Sequence, residues 1–125
     1  MAVRGRWLAV LAGFFLLMVS LGSIPGQANA LSDRFGDKLL HTLAYGVMTV
    51  LCFRALVARP VWRALGTIAA IGLLGMIDES LQSLLPYRNA SLADWCFDIG
   101  AAASVTALLL LINEPTLPKK PHAKN

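Results

Sequence analysis

The chain has 125 residues, of which 57% are hydrophobic and only 14% charged, against about 45–50% and about 25% in average soluble domains. That imbalance excludes an ordinary water-soluble domain, and the length allows one domain at most. The net charge of +4 is no nucleic-acid footprint, because the Lys and Arg residues are scattered over short segments and form no basic face.

Four apolar runs are predicted to be helices over about 7–24, 38–57, 61–85 and 92–112. In lipid every backbone polar group must be satisfied internally, and four isolated strands could not close a barrel. The expected fold is therefore all-α, an integral membrane four-helix bundle occupying residues 1–113. The first run, Trp7 to Ile24, follows Arg4 and Arg6 and ends at Pro25-Gly26. Basic residues, an apolar core and Ala28-Asn29-Ala30 also fit a cleaved signal peptide. The run is slightly long for one, so a retained helix is the preferred reading, and either outcome leaves Leu31 on the outer side.

Gly36-Asp37-Lys38 opens the second run, which closes near Arg54 and Arg59-Pro60. Val61-Trp62-Arg63 opens the third, which Pro86 closes; the fourth begins near Leu92 and stops at Asn113-Glu114-Pro115. The tail over 114–125 is polar and Pro-broken, and reads as a disordered basic segment. Cys52 and Cys96 fall inside apolar runs and make neither a disulfide framework nor a metal-spaced pair; both read as small buried hydrophobes.

Positive charge sets the expected orientation. Arg4, Arg6, Arg54, Arg59, Arg63, Lys119, Lys120 and Lys124 flank one side, and Arg34, Lys38 and Arg88 the other. The excess of cations on the first side puts both termini in the cytoplasm. Trp7 and Trp62 then fall near the inner interface, Tyr87 and Trp95 near the outer one. The acids divide the other way: only Glu114 belongs to the inner half, whereas Asp33, Asp37, Asp78, Glu79, Asp94 and Asp98 belong to the outer.

Depth brings these groups together. At about 1.5 Å of rise per residue, Asp78 lies roughly 10 Å, His41 roughly 6 Å and Asp98 roughly 9 Å inside the outer ends of three separate helices. Asp37, His41 and Tyr45 share one helical stripe, Asp78 and Gln82 another, Asp94 and Asp98 a third. Asp78 and Glu79 stand about 100° apart, so one faces the bundle centre and the other a flanking helix. Arg88 is the nearest cation able to fold over the cluster, with Lys38 next. Small residues such as Gly46, Gly66, Gly72, Gly75 and Gly100 allow close helix approach.

Structural roles compete with functional ones at several positions. Asp37 suits a helix N-cap, and Ser91-Leu92-Ala93-Asp94 the short capping box. His41 alone suits a hydrogen-bonded packing residue, Tyr45 an interfacial anchor or packing residue, and Asp94 with Asp98 an internal ion pair to Arg88 or Lys38. Asp78, Glu79 and Asp98 have no such simple alternative, because a carboxylate deep in a membrane helix costs roughly 2.5–3.5 kcal/mol on insertion scales.

At these residues the chain resembles the VanZ-like family of small bacterial membrane proteins. The resemblance lies in Asp37-Lys38-Leu39-Leu40-His41 with Tyr45, then Asp78-Glu79 with Gln82, then Pro86, Arg88, Ser91, Asp94, Asp98 and Gly100. It covers about residues 36 to 104. The family often has Gly before the Arg, where this chain has Tyr87, His before the Gln, where it has Leu81, and Asn at the position of Asp98. Leu81 removes a second imidazole and weakens any two-histidine metal proposal. The resemblance implies a multi-pass protein of the bacterial inner membrane with an envelope-related role, the family being named for a protein of teicoplanin resistance. It supplies no reaction.

Three functions follow as expectations. The first is a binding protein whose outer-leaflet pocket, lined by Asp37, Lys38, His41, Asp78, Glu79, Gln82, Arg88, Asp94 and Asp98, holds a lipid headgroup, a cell-wall precursor or a cationic antibiotic fragment. In this reading Arg88 and Lys38 suit phosphate and the carboxylates suit an amine or a divalent ion. The second is an enzyme on a lipid-linked phosphate, with His41, Asp78, Glu79 and Asp98 as acid–base candidates and a divalent cation on Asp78, Glu79 and Asp98. No nucleophile motif, phosphate loop or zinc signature supports it. The third is a small proton- or cation-coupled carrier, an oligomer being one form of it, since four short helices without an internal repeat disfavour a lone transporter. The expected partner in every case is the bilayer, with no nucleic acid.

Overall fold

A computed structural model describes residues 1–113, with the side chains of Ala28, Leu31, Ser32 and Asp37 outside the description. The expectation for the tail over 114–125 lies outside the described residues. The order is β1 (Ala2–Val3), α1 (Gly5–Gly22), α2 (Gln27–Phe35), α3 (Asp37–Ala55), β2 (Leu56–Val57), α4 (Pro60–Ser83) and α5 (Leu92–Ile112).

Local chemistry places the boundaries. Gly26 and Gly36 both take φ +83° on either side of α2, a region that a residue without Cβ enters at little steric cost. Pro60 occupies the first turn of α4, where its missing N–H would have had no helical partner. Ser91 caps α5, its Oγ accepting from the Asp94 N–H at 3.4 Å.

α3 lies at the centre, packed against α1, α4 and α5, and α5 packs on both α3 and α4. The core is built from Leu11 of α1, Tyr45, Met48 and Cys52 of α3, Ile71 of α4, and Ala101 and Ala102 of α5. Two alanines on α5 let its backbone sit close to its neighbours, the small-residue packing that apolar surroundings favour. Thr49 and Thr67 are fully buried and return their hydroxyls to the carbonyls of Tyr45 and Arg63, at 2.6 and 2.8 Å, so neither is left unsatisfied.

The two ends of the helices differ in chemistry. At one, β1 pairs antiparallel with β2, Ala2 opposite Val57 and Val3 opposite Leu56. There Arg6 and Arg54 stand over Trp7 at 5.7 and 5.8 Å, and Arg63 stacks on Phe53 at 3.8 Å while its Nε donates to the Phe53 carbonyl. At the other end the link between α4 and α5 returns to α1, the Tyr87 hydroxyl donating to the Ser23 carbonyl. The carboxylates of α4 and α5 lie at this second end.

Large apolar side chains cover the outside, among them Leu16, Leu17, Leu43, Val47, Leu73, Leu108 and Leu111. α1, α4 and α5 are long and apolar enough to cross a membrane, and the chain is a membrane protein on that ground. α3 falls outside this group because Lys38, His41, Tyr45 and Arg54 dilute its hydropathy, although most of these polar groups serve contacts with other parts of the chain. Two expectations need correction. There are five helices among the described residues and not four, the extra one being α2, which contains Ala28-Asn29-Ala30. Cys52 is buried, but Cys96 is exposed.

Candidate functional site

His41 and Tyr45 stand four residues apart on α3, so both project toward the same side. Their rings stack with centroids 5.9 Å apart and planes 2° from parallel. The His41 Nδ1 lies 2.9 Å from Oδ1 of Asp98 on α5. The Tyr45 hydroxyl donates to Oδ2 of Asp78 on α4 at 3.0 Å. One stripe of α3 therefore holds a carboxylate from each neighbouring helix. Asp98 is wholly buried and Asp78 nearly so.

Asp78 and Glu79, adjacent on α4, diverge as their angular separation requires. Asp78 turns to α3, whereas Glu79 turns to the start of α5, where its Oε2 accepts the Ser91 N–H at 2.7 Å. That bond uses a donor the first turn of α5 cannot satisfy internally, and it ties the end of α4 to the beginning of α5. Trp95 makes a second tie, its Nε1 donating to the Gly72 carbonyl at 3.0 Å. Gly75 makes room between these ties. A Cβ there would stand 3.0 Å from Trp95 Cδ1 and 3.1 Å from Asp98 Oδ2.

A cavity of about 220 Å³ opens between α1, α3 and α4. His41, Tyr45, Asp78, Gln82 and Arg88 supply its polar surface, while Met18, Val19, Leu21, Leu40, Ala44, Leu81 and Leu85 supply apolar walls. Arg88 enters from the link after α4, half-buried as a residue, with its Nε enclosed and without a hydrogen-bond partner among the described residues. The part played by α1 has no signal in the sequence, since its lining residues are ordinary members of an apolar run.

The residues expected in one pocket thus separate into three places. His41, Asp78, Gln82 and Arg88 line the cavity. Glu79 and Asp98 stand behind it with His41, the three side chains each offering a ligand atom within 4.8 Å of the others. Asp78, expected beside Glu79 and Asp98 as a metal ligand, is outside that group and bonded to Tyr45. Lys38 lies at 3.9 Å from Asp94 Oδ1 and at 5.5 Å from the Phe97 ring, away from the cavity. Lys38 is 58% exposed, so that pair contributes little to stability. The side chain of Asp37, also expected in the pocket, lies outside the described residues.

Chemically, the cavity offers one guanidinium, one carboxylate, an amide, a phenol and an imidazole above apolar walls. It can hold a charged or zwitterionic group whose attached chain runs into hydrocarbon. No family model, curated protein or solved structure matches the chain.

Proposed function

We propose that the chain is a VanZ-like protein of the bacterial inner membrane, and that its cavity binds the polar headgroup of an amphiphile at the outer leaflet. In this reading α1, α3, α4 and α5 all cross the bilayer and both termini are cytoplasmic. The gathering of Arg6, Arg54 and Arg63 at one end, with the carboxylates at the other, supports that orientation. α3 presents Leu39, Leu43 and Val47 outward as an exposed apolar stripe, which supports its contact with lipid.

The construction of the cavity carries the reading. Its volume of about 220 Å³ is below the roughly 300–1,000 Å³ of sites that enclose a whole drug-sized ligand. A headgroup fits, and the acyl or isoprenoid chain stays outside against the α1 wall. Arg88 is the cation of the lining and suits a phosphate, since guanidinium presents paired donors to it. Asp78, in the same lining, suits an ammonium. A phospholipid headgroup or a lipid-linked cell-wall precursor meets both requirements. A cationic antibiotic fragment meets only the second, so it is the weaker candidate, and a role in glycopeptide resistance would follow from competition for the precursor.

The test is lipid retention by the purified full-length chain. Anionic phospholipid should co-purify and be visible by native mass spectrometry, and Arg88→Gln should weaken its binding by about tenfold, the worth of a charge-assisted hydrogen bond. Equal binding by the two proteins would reject the reading.

One observation favours a catalytic alternative on the same class of ligand. His41 lines the cavity and is backed by Asp98 at 2.9 Å, the arrangement that orients an imidazole for proton transfer. Release of phosphate from a lipid-linked pyrophosphate by the wild type, and its loss in His41→Gln, would establish that alternative.

A further inference from the structure

We propose that His41, Glu79 and Asp98 form a binding site for a divalent transition-metal ion of the zinc class, where α3, α4 and α5 meet. The three side chains bring one ligand atom each to within 4.8 Å of the others. Two carboxylates and an imidazole are a mixed oxygen and nitrogen set. Carboxylates alone would suit Mg²⁺ or Ca²⁺, whereas an imidazole shifts preference toward first-row transition ions.

Proximity of acids alone would not make a site. The second observation is that one oxygen of each carboxylate is enclosed and unmet. Asp98 is 0% exposed, and its Oδ2 has no hydrogen-bond partner among the described residues. Glu79 Oε1 is likewise enclosed and without a partner. No Lys or Arg among the described residues lies within salt-bridge distance of either carboxylate, the nearest pairs being Lys38 with Asp94 and His41 with Asp98. Buried carboxylate oxygens without donors are unfavourable, and a dication answers both at once.

The surroundings suit a bound ion. Glu79 borders a shallow depression with Ser91 and Trp95, which gives a route from the outer end of the helices. The Ser91 N–H holds the other oxygen of Glu79, as a neighbouring donor orients a metal-binding carboxylate. Gly75 keeps the space beside Asp98 Oδ2 free of a Cβ. His41 also faces the cavity, so an ion here would sit next to the bound headgroup without being part of its pocket.

The inference does not rest on the cavity's ligand and is tested with zinc alone. Tag-free full-length protein in nanodiscs, stripped with a chelator, should take up one Zn²⁺ per chain by elemental analysis and titration calorimetry. Glu79→Gln and Asp98→Asn should each weaken binding by about tenfold or more, and Asp33→Asn, on exposed α2, should not. Circular dichroism checks folding. Should Asp98→Asn fail that check, Glu79→Gln decides, because its amide oxygen still accepts from Ser91. Glu79→Gln should lose zinc and keep phospholipid, and Arg88→Gln should do the reverse. No zinc uptake by the wild type, or equal uptake by Glu79→Gln, would overturn the proposal.

Discussion

His41 Nδ1 and Asp98 Oδ1 stand 2.9 Å apart and join α3 to α5 across 57 positions of sequence. Both side chains are buried, so water and salt screen the contact far less than they would at the surface. In transmembrane helices the average side-chain hydrogen bond couples by only about 0.6 kcal/mol, with the best near about 1.7. A carboxylate–imidazole pair in an enclosed site belongs at the upper end. A double-mutant cycle with His41→Ala and Asp98→Ala, read by unfolding in bicelles, should give a coupling of about 1–2 kcal/mol. A coupling near zero would mean that the two residues are independent and that the pair does not hold α3 on α5.

Gly75 is the position where helix spacing is most exacting. An added Cβ meets Trp95 Cδ1 at 3.0 Å and Asp98 Oδ2 at 3.1 Å. Neither neighbour yields easily, since Trp95 is bonded to Gly72 and Asp98 to His41. Gly75→Ala should therefore destabilise by about 1–3 kcal/mol, the usual cost of overpacking. Gly100 makes the control, because a Cβ there meets nothing within 4 Å. Gly100→Ala should hold stability or raise it by up to about 1 kcal/mol, the helix propensity that Ala gains over Gly. Equal thermal stability of the two variants would contradict the tight α4–α5 packing.

Much of this arrangement is legible in the residues themselves. The starts of α3, α4 and α5 follow from Gly36, Pro60 and Ser91, local signals that act within one turn. The divergence of Asp78 and Glu79 follows from helical geometry alone. α2 is not legible as a fifth helix, since Gln27–Phe35 is short, polar and without an apolar run to mark it. The pairing of β1 with β2 joins residues more than fifty positions apart, and two-residue strands carry no period. The separation of the polar residues into a cavity and a His41–Glu79–Asp98 group depends on how three helices rotate about their axes. Stripes reveal which residues share a face, but not which face meets which neighbour.

The orientation proposed for the helices can be read by labelling. Asn89 is exposed in the link between α4 and α5, and Ala58 sits between β2 and α4 at the opposite end. With Cys96→Ser removing the exposed thiol and Cys52 left buried, Asn89→Cys should react with an impermeant maleimide added outside intact cells. Ala58→Cys should react only after the cells are opened. The reverse pattern would invert the protein and place the cavity at the cytoplasmic leaflet.

Filling the cavity separates ligand binding from fold stability. Ala44 projects from α3 into the space beside His41 and Tyr45 and is half-buried. Ala44→Phe places a ring where the headgroup is proposed to sit, in contact with the apolar walls from α1 and α4. Because the space already exists, the added ring gains burial without displacing packed atoms, and filling a void commonly stabilises by about 0.5–2 kcal/mol. Retained phospholipid should fall by about tenfold, a cost of about 1.4 kcal/mol in affinity, while the midpoint of thermal unfolding holds or rises. Arg88→Gln should lose the same lipid with its apolar walls intact, so the two variants remove the ligand by steric and by electrostatic means. Lipid retained in full by Ala44→Phe, with folding unimpaired, would show that the amphiphile binds elsewhere on the protein.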